Sequence, residues 1–262
     1  MTPTVARPAG SSGSAAPVSL DPRDVLLLTD EMAESAPPLC PKIILEGTRL
    51  TRKTELAFAL NEHPRVVGPR RYRYHSPVIS GEWGGLTNQA WGPSPISFGP
   101  EEEPAAVEVF RTWTRLFELH RYYSWIVDRF HLSARADQQR RGRDFDDAGL
   151  EERLLPLGFA IVLCTRAEET FASAREERLL VSAKPDQYDD LGVFLAEQRA
   201  LRRLAAASRL PVLELEVAGR TVGDLAEEVA DWLDHRDLLR APTGAVPGRP
   251  AGAAGAAPDQ VR

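Results

Sequence analysis

The chain has 262 residues, 43% of them hydrophobic and 27% charged, with a formal net charge of -6 at pH 7. That composition belongs to a globular protein with room for one substantial core, and its acidic balance offers no general attraction to nucleic acid or to an anionic membrane surface. No run approaches the ~18 apolar residues of a membrane-spanning helix, and the two lone cysteines, Cys40 and Cys164, have no metal-ligand spacing and fit a reducing cytoplasm.

From the N-terminus, residues 1–23 are rich in Pro, Gly, Ser and Ala, lack the apolar centre of a signal peptide and read as a disordered tail. Residues 241–262 read the same way, which leaves a folded domain over 24–240. Pro41–Leu45 predicts a short buried strand closed by Gly47, and Thr54–Asn61 a helix that His63-Pro64 ends. Between them, Gly47-Thr48-Arg49-Leu50-Thr51-Arg52-Lys53-Thr54 has the layout G-x-x-x-x-G-K-[ST], with Arg52 at the second glycine. In such a loop, backbone N–H groups and the helix N-terminus face phosphate oxygens, the lysine adds a mobile charge and the hydroxyl meets magnesium. A side chain at the second glycine must point away or clash.

Arg65–Gly68 reads as a second strand. The long Pro69–Pro104 segment follows, with Arg70, Arg71 and Arg73 interleaved among Tyr72, Tyr74 and His75: a grip for an anionic acceptor, or a solvated loop. Trp83 and Trp91 read better as packing against the core than as a cover for substrate. Glu101–Tyr123 is a helix with the stripe Ala106, Val109, Phe110, Trp113, Leu116, Phe117, His120. Trp125–Asp128 is a buried strand ending in Asp128-Arg129, and His131 just beyond is more simply structural than an acid or base. Arg135–Arg153 reads as a solvated charged face, and Gly158–Cys164 as an apolar strand with a helix from near Ala167. Lys184–Tyr188 is a hinge, Ala196–Ser208 a helix, Val212–Val217 a strand, and Thr221–His235 a helix capped by Thr221 or Asp224.

Short, uniformly apolar strands alternating with helices predict an α/β fold: a three-layer parallel sheet with helices on both faces. Ligands then sit at the carboxyl ends of the strands, where both Gly47–Thr54 and Asp128-Arg129 fall. Over roughly residues 40–235 the order of elements resembles the P-loop kinases of nucleosides and nucleotides, thymidylate kinases most. The resemblance rests on Ile43–Gly47 leading into Lys53–Ala57, on Trp125–Ser133 with its strand-end Asp-Arg, on Phe159–Cys164 followed by Glu168, Glu169, Arg175 and Arg178, and on Leu210–Leu233.

That resemblance implies a helical lid and a set of roles. Lys53 would contact the β/γ-phosphates, with Gly47–Thr54 as the nucleotide cradle; Thr54 would hold magnesium, and Asp128 would help hold it or orient the acceptor. Arg129 would bind the acceptor, and the lid residues Arg175 and Arg178 would stabilise charge on the transferred group. Two departures stand beside it: Arg52, and the absence of an Arg-Gly-Gly-Thr-like stretch after the second strand, where Gly68–His75 stands instead. The activity implied is phosphoryl transfer from ATP or GTP to a small acceptor; the alternative is a catalytically impaired, nucleotide-binding or regulatory protein of the same fold. Implied partners are the nucleotide and the acceptor, with neither nucleic acid nor membrane; related kinases are often homodimers.

Overall fold

Uniformly apolar strands of this kind are stable only when both faces of their sheet are covered. The computed structural model describes residues 39–67, 78–89, 92–145, 147 and 149–240. The predicted tails, Arg70, Arg71, Arg73 and Trp91 lie outside the described residues. In chain order come β1 (Lys42–Glu46), α1 (Lys53–Glu62), α2 (Pro64–Val67), β2 (Val78–Ser80), α3 (Glu103–Leu119), β3 (Trp125–Asp128) and α4 (His131–Arg140). Then follow α5 (Leu150–Leu154), β4 (Phe159–Thr165), α6 (Phe171–Leu179), α7 (Leu191–Ala206), β5 (Val212–Glu216) and α8 (Val222–His235).

The five strands form one sheet in the order β2-β3-β1-β4-β5, and every neighbouring pair is parallel. Alternate side chains of one strand serve opposite layers. Ile44, Val127, Phe159 and Ile161 pack with Phe110 and Phe117 of α3 and Leu201 of α7. Ile43, Leu45, Ile126 and Val162 pack with Leu56 and Leu60 of α1 and Val229 and Leu233 of α8. The sheet is therefore the middle of three layers. A smaller cluster, Phe171, Tyr188 and Phe194, holds α6, the 3-10 turn Pro185–Tyr188 and α7 together as the helical lid.

Several sequence expectations need correction. Arg65–Val67 is not a strand: Pro64 occupies the first helical position, where its missing N–H is no loss, and Val66 and Val67 both donate to the His63 carbonyl at 3.0 Å. The second strand is Val78–Ser80, inside the segment expected to be loop, and that segment also sends Ile96 and Phe98 into the core. In α3 the stripe ends at Phe117, because His120 is the exposed C-cap residue. Arg135–Arg153 is mostly solvent-facing among its described residues, but Ala136, Phe145 and Leu150 within it are core residues. α7 begins five residues earlier than expected, where the Asp190 carboxylate accepts from Gly192 N–H at 2.9 Å. Thr221 caps α8, accepting from Asp224 N–H at 3.1 Å.

Candidate functional site

Register brings the loops together. Leu45 of β1 lies opposite Asp128 of β3, Asp128 opposite Ser80 of β2, and Glu46 opposite Leu163 of β4. The residues after β1, β2, β3 and β4 thus gather on the carboxyl edge of the sheet, over the start of α1.

Gly47 turns the chain out of β1 with φ 146°, a conformation that L side chains rarely adopt, and a Cβ there would lie 2.5 Å from the Cys164 carbonyl oxygen. Burial behind the loop pushes the Cys164 thiol up to about 12, so this cysteine is inert. The loop closes on itself: Thr51 Oγ1 donates to the Thr48 carbonyl at 2.8 Å, and Lys53 Nζ to the same oxygen at 2.7 Å. Arg52 adopts φ 55°, ψ 22°, the left-handed conformation that a glycine takes easily. Its guanidinium swings outward to Glu55 Oε2 (2.9 Å from Nε, 2.7 Å from Nη2) and to the Arg220 carbonyl at 2.9 Å. Leu50 and Arg129 also have positive φ, 68° and 64°. Such strain persists only where the surroundings impose it, and it concentrates at functional sites.

At the mouth of α1, Thr54 Oγ1 donates to Asp128 Oδ2 at 2.7 Å, joining the two residues expected to share a metal. Lys53 is 7% exposed. Burial first, then the positive Arg129, lowers its pKa to about 8, against the pull of Asp128 and Glu197. Arg129 is buried too and donates from Nη1 to Glu197 Oε1 at 2.8 Å, while its Nε faces Glu82 Oε2 at 3.3 Å. Glu197 also accepts from Thr48 Oγ1 at 2.5 Å, and Arg49 spans Glu82 (2.5 Å) and Gln187 of the lid turn (2.9 Å). Burial works against the charge of Glu197 and Glu82, but Arg129 outweighs it and both carboxyls are held below the usual range. Burial also works against Arg129, but the two carboxylates raise its pKa.

Of the expected residues, Gly47–Thr54, Asp128 and Arg129 stand together. Arg175 and Arg178 lie in the lid, where Arg175 bonds the Tyr188 carbonyl (2.7 Å) and Asp189 (3.1 Å), and Arg178 the Tyr188 hydroxyl (3.1 Å). Leu50, at the tip of the loop, packs against the lid cluster. His131 is fully buried, and its Nε2 lies 2.9 Å from Glu151, which also accepts from Ser208 Oγ and Arg209 N–H, so it pins α4 to α5. Trp83 is 58% exposed rather than packed on the core.

Sequence reasoning missed Glu46, Glu82, Arg166, Glu197 and Gln198. Glu46 ends β1 and reaches the N-terminus of α4, accepting from the N–H groups of Phe130, Leu132 and Ser133 at 3.1, 3.1 and 3.3 Å. Arg166 follows β4 just as Gly47 follows β1, a parallel visible in sequence. Gln198 sits four residues after Phe194 and three before Leu201, a polar residue on an apolar stripe.

No protein-family model and no curated protein matches the sequence. Among solved structures, YorR protein from Bacillus subtilis in complex with phosphorylated GDP is 14% identical, with a TM-score of 0.51 over 74% of this chain and 98% of that one. Thymidylate kinases from Candida albicans (14% identity, TM-score 0.48, 79% and 96% coverage) and Ehrlichia chaffeensis (15%, 0.48, 75% and 100%) are also similar. At such identities the likeness concerns fold alone, and with the strand order and the loop after β1 it gives the conclusion: the chain has the α/β fold of the P-loop nucleotide kinases.

Proposed function

We propose that the chain transfers the γ-phosphoryl group of ATP or GTP to a small acceptor: a nucleoside, a nucleotide or a specialised metabolite. The observation that carries this reading is the conformation of Arg52, whose backbone takes the glycine-like turn while its side chain bonds Glu55 and Arg220 outside the loop. The amide cradle is therefore compatible with phosphate, and Lys53 needs only to exchange the Thr48 carbonyl for a phosphate oxygen.

The donor set also suits magnesium, a hard cation that binds through one or two carboxylates plus nucleotide phosphates. Thr54 and Asp128 would hold it, and when bound with nucleotide it neutralises charge on the transferring phosphates. Arg129, fixed by Glu82 and Glu197, would orient the acceptor, and Arg175 and Arg178 would act from the lid. Dimerisation, as in related kinases, is part of the same proposal. No helix among the described residues is long and apolar enough to cross a membrane.

The second reading, a nucleotide-binding regulator with impaired catalysis, is favoured by one feature: Arg49 and Arg129 are already matched to internal carboxylates. Calorimetry with ATP and GTP plus magnesium tests the nucleotide site that both readings need, and nucleotide turnover by the native chain, lost in K53A, separates the kinase from the regulator. The expected result is binding near micromolar by the native chain, loss of about a hundredfold or more in K53A, and little gain in R52G. Binding by R52G alone would reject the kinase reading in favour of a degraded site.

A further inference from the structure

Arginines crowd the rim of the loop, and those that touch it are matched to carboxylates with one exception. Arg49 meets Glu82, Arg52 meets Glu55, and Arg129 meets Glu82 and Glu197. Arg166, 7% exposed, donates instead from Nε to the Leu50 carbonyl at 3.1 Å and from Nη1 to the Thr170 carbonyl at 3.4 Å. No carboxylate among the described residues forms an ion pair with it. A buried guanidinium held by neutral carbonyls keeps a full charge where desolvation disfavours one. Burial accordingly lowers its pKa, and Glu177 and Glu216 oppose this only from a distance.

Its placement is also fixed. Gln198, 1% exposed, accepts from Arg166 N–H at 2.8 Å and donates to the Arg166 carbonyl at 2.8 Å. This two-sided clamp locks the backbone of the residue that leaves β4 beside the P-loop. Arg175 and Arg178, by contrast, are occupied with Tyr188 and Asp189.

Resting on the nucleotide-binding reading above, we infer that Arg166 is a phosphate-binding residue, its unbalanced guanidinium meeting the nucleotide polyphosphate at the loop, with Gln198 as its positioning residue. The charge gives the anion a partner without breaking an existing ion pair, and the Leu50 carbonyl holds the guanidinium at the loop until the anion arrives.

The test is calorimetric titration of the full chain with magnesium-ATP at several salt concentrations, in the native protein, R166Q and R166K. R166Q is expected to weaken binding about tenfold or more, as for loss of a charged hydrogen bond. It should also make log affinity less steep against log salt by about one, while R166K regains most of both. A second variant, R166H, should bind better at pH 6 than at pH 8 by a larger factor than the native chain, since its ring titrates near pH 6.5. Weaker binding with an unchanged salt slope and no pH gain in R166H would mean that Arg166 only braces Leu50, which overturns the inference. So would unchanged affinity in R166Q. If the native chain binds no nucleotide, or K53A binds equally well, the parent reading fails and this one falls with it.

Discussion

Lys53 is a positive group that the fold keeps where positive charge is disfavoured. Its pKa of about 8 lies below the ordinary 10.5, so between those values the folded chain binds fewer protons than the unfolded one. Stability from this group therefore rises with pH through that window, and at pH 7 the lysine opposes folding. K53M should accordingly raise the melting temperature at pH 7, by an amount worth about 1–2 kcal/mol, while abolishing nucleotide binding. The Thr48 carbonyl that the lysine abandons still accepts from Thr51 Oγ1 at 2.8 Å. Melting curves at pH 7 and pH 10 check this: the advantage of K53M should shrink at the higher pH, and a variant less stable than the parent at pH 7 would mean that the lysine's bonds outweigh its burial. Arg52 is the converse case, a left-handed non-glycine residue that carries strain of about 1–2 kcal/mol. Its three outward hydrogen bonds offset part of that.

At the scale of elements, α4 is held at two points. Glu46 from β1 receives its N-terminal N–H groups, and Glu151 of α5 binds His131 in its first turn. Burial tends to raise the Glu151 pKa, but hydrogen bonds from His131, Arg209 and Ser208 hold it at about 2. A depressed carboxylate stabilises above its unfolded pKa and loses that contribution as pH falls from about 4.5 towards 2. E151Q should thus be less stable than the parent at pH 7, by about 1 kcal/mol after screening at this partly buried position, and the difference should narrow by pH 3. Chemical denaturation at the two pH values measures it; a constant gap would locate the effect in packing instead. Elements of this kind were legible from sequence in proportion to their locality. β1, β3 and β4 are continuous apolar runs, and Gly47–Thr54 and Asp128-Arg129 are contiguous motifs at strand ends. β2 was hidden because it is three residues long and pairs with β3 alone. Arg65–Val67 misled because its β-branched pair suggested a strand while Pro64 starts a helical turn. Glu82, Arg166, Glu197 and Gln198 were missed because their main partners lie far along the chain, and only the polar break in the apolar stripe of α7 and the place of Arg166 straight after β4 signalled any of them.

Across the whole molecule, the carboxyl edge of the sheet is joined by one chain of charge running Arg49–Glu82–Arg129–Glu197, closed back on the loop by Thr48. It links the loops after β1, β2 and β3 to α7, and the neighbouring Gln198 adds the loop after β4. The members are not equivalent, because Glu82 has a 37% exposed side chain and Glu197 a 16% exposed one. Truncating an exposed partner removes about 0–1 kcal/mol, whereas leaving a buried arginine without its main partner costs about 3–5 kcal/mol. E197A should therefore lower the melting temperature by roughly 6–20 °C and E82A by at most about 4 °C, at about 2–4 °C per kcal/mol for a domain of this size. The double variant should lose more than the sum, since Arg129 would then face no carboxylate at all. Thermal unfolding of the three variants decides it. Equal losses in E197A and E82A would mean that solvent reaches Arg129 freely and that the network is a surface feature, whereas the expected inequality makes α7 the element that holds three strand ends in one geometry.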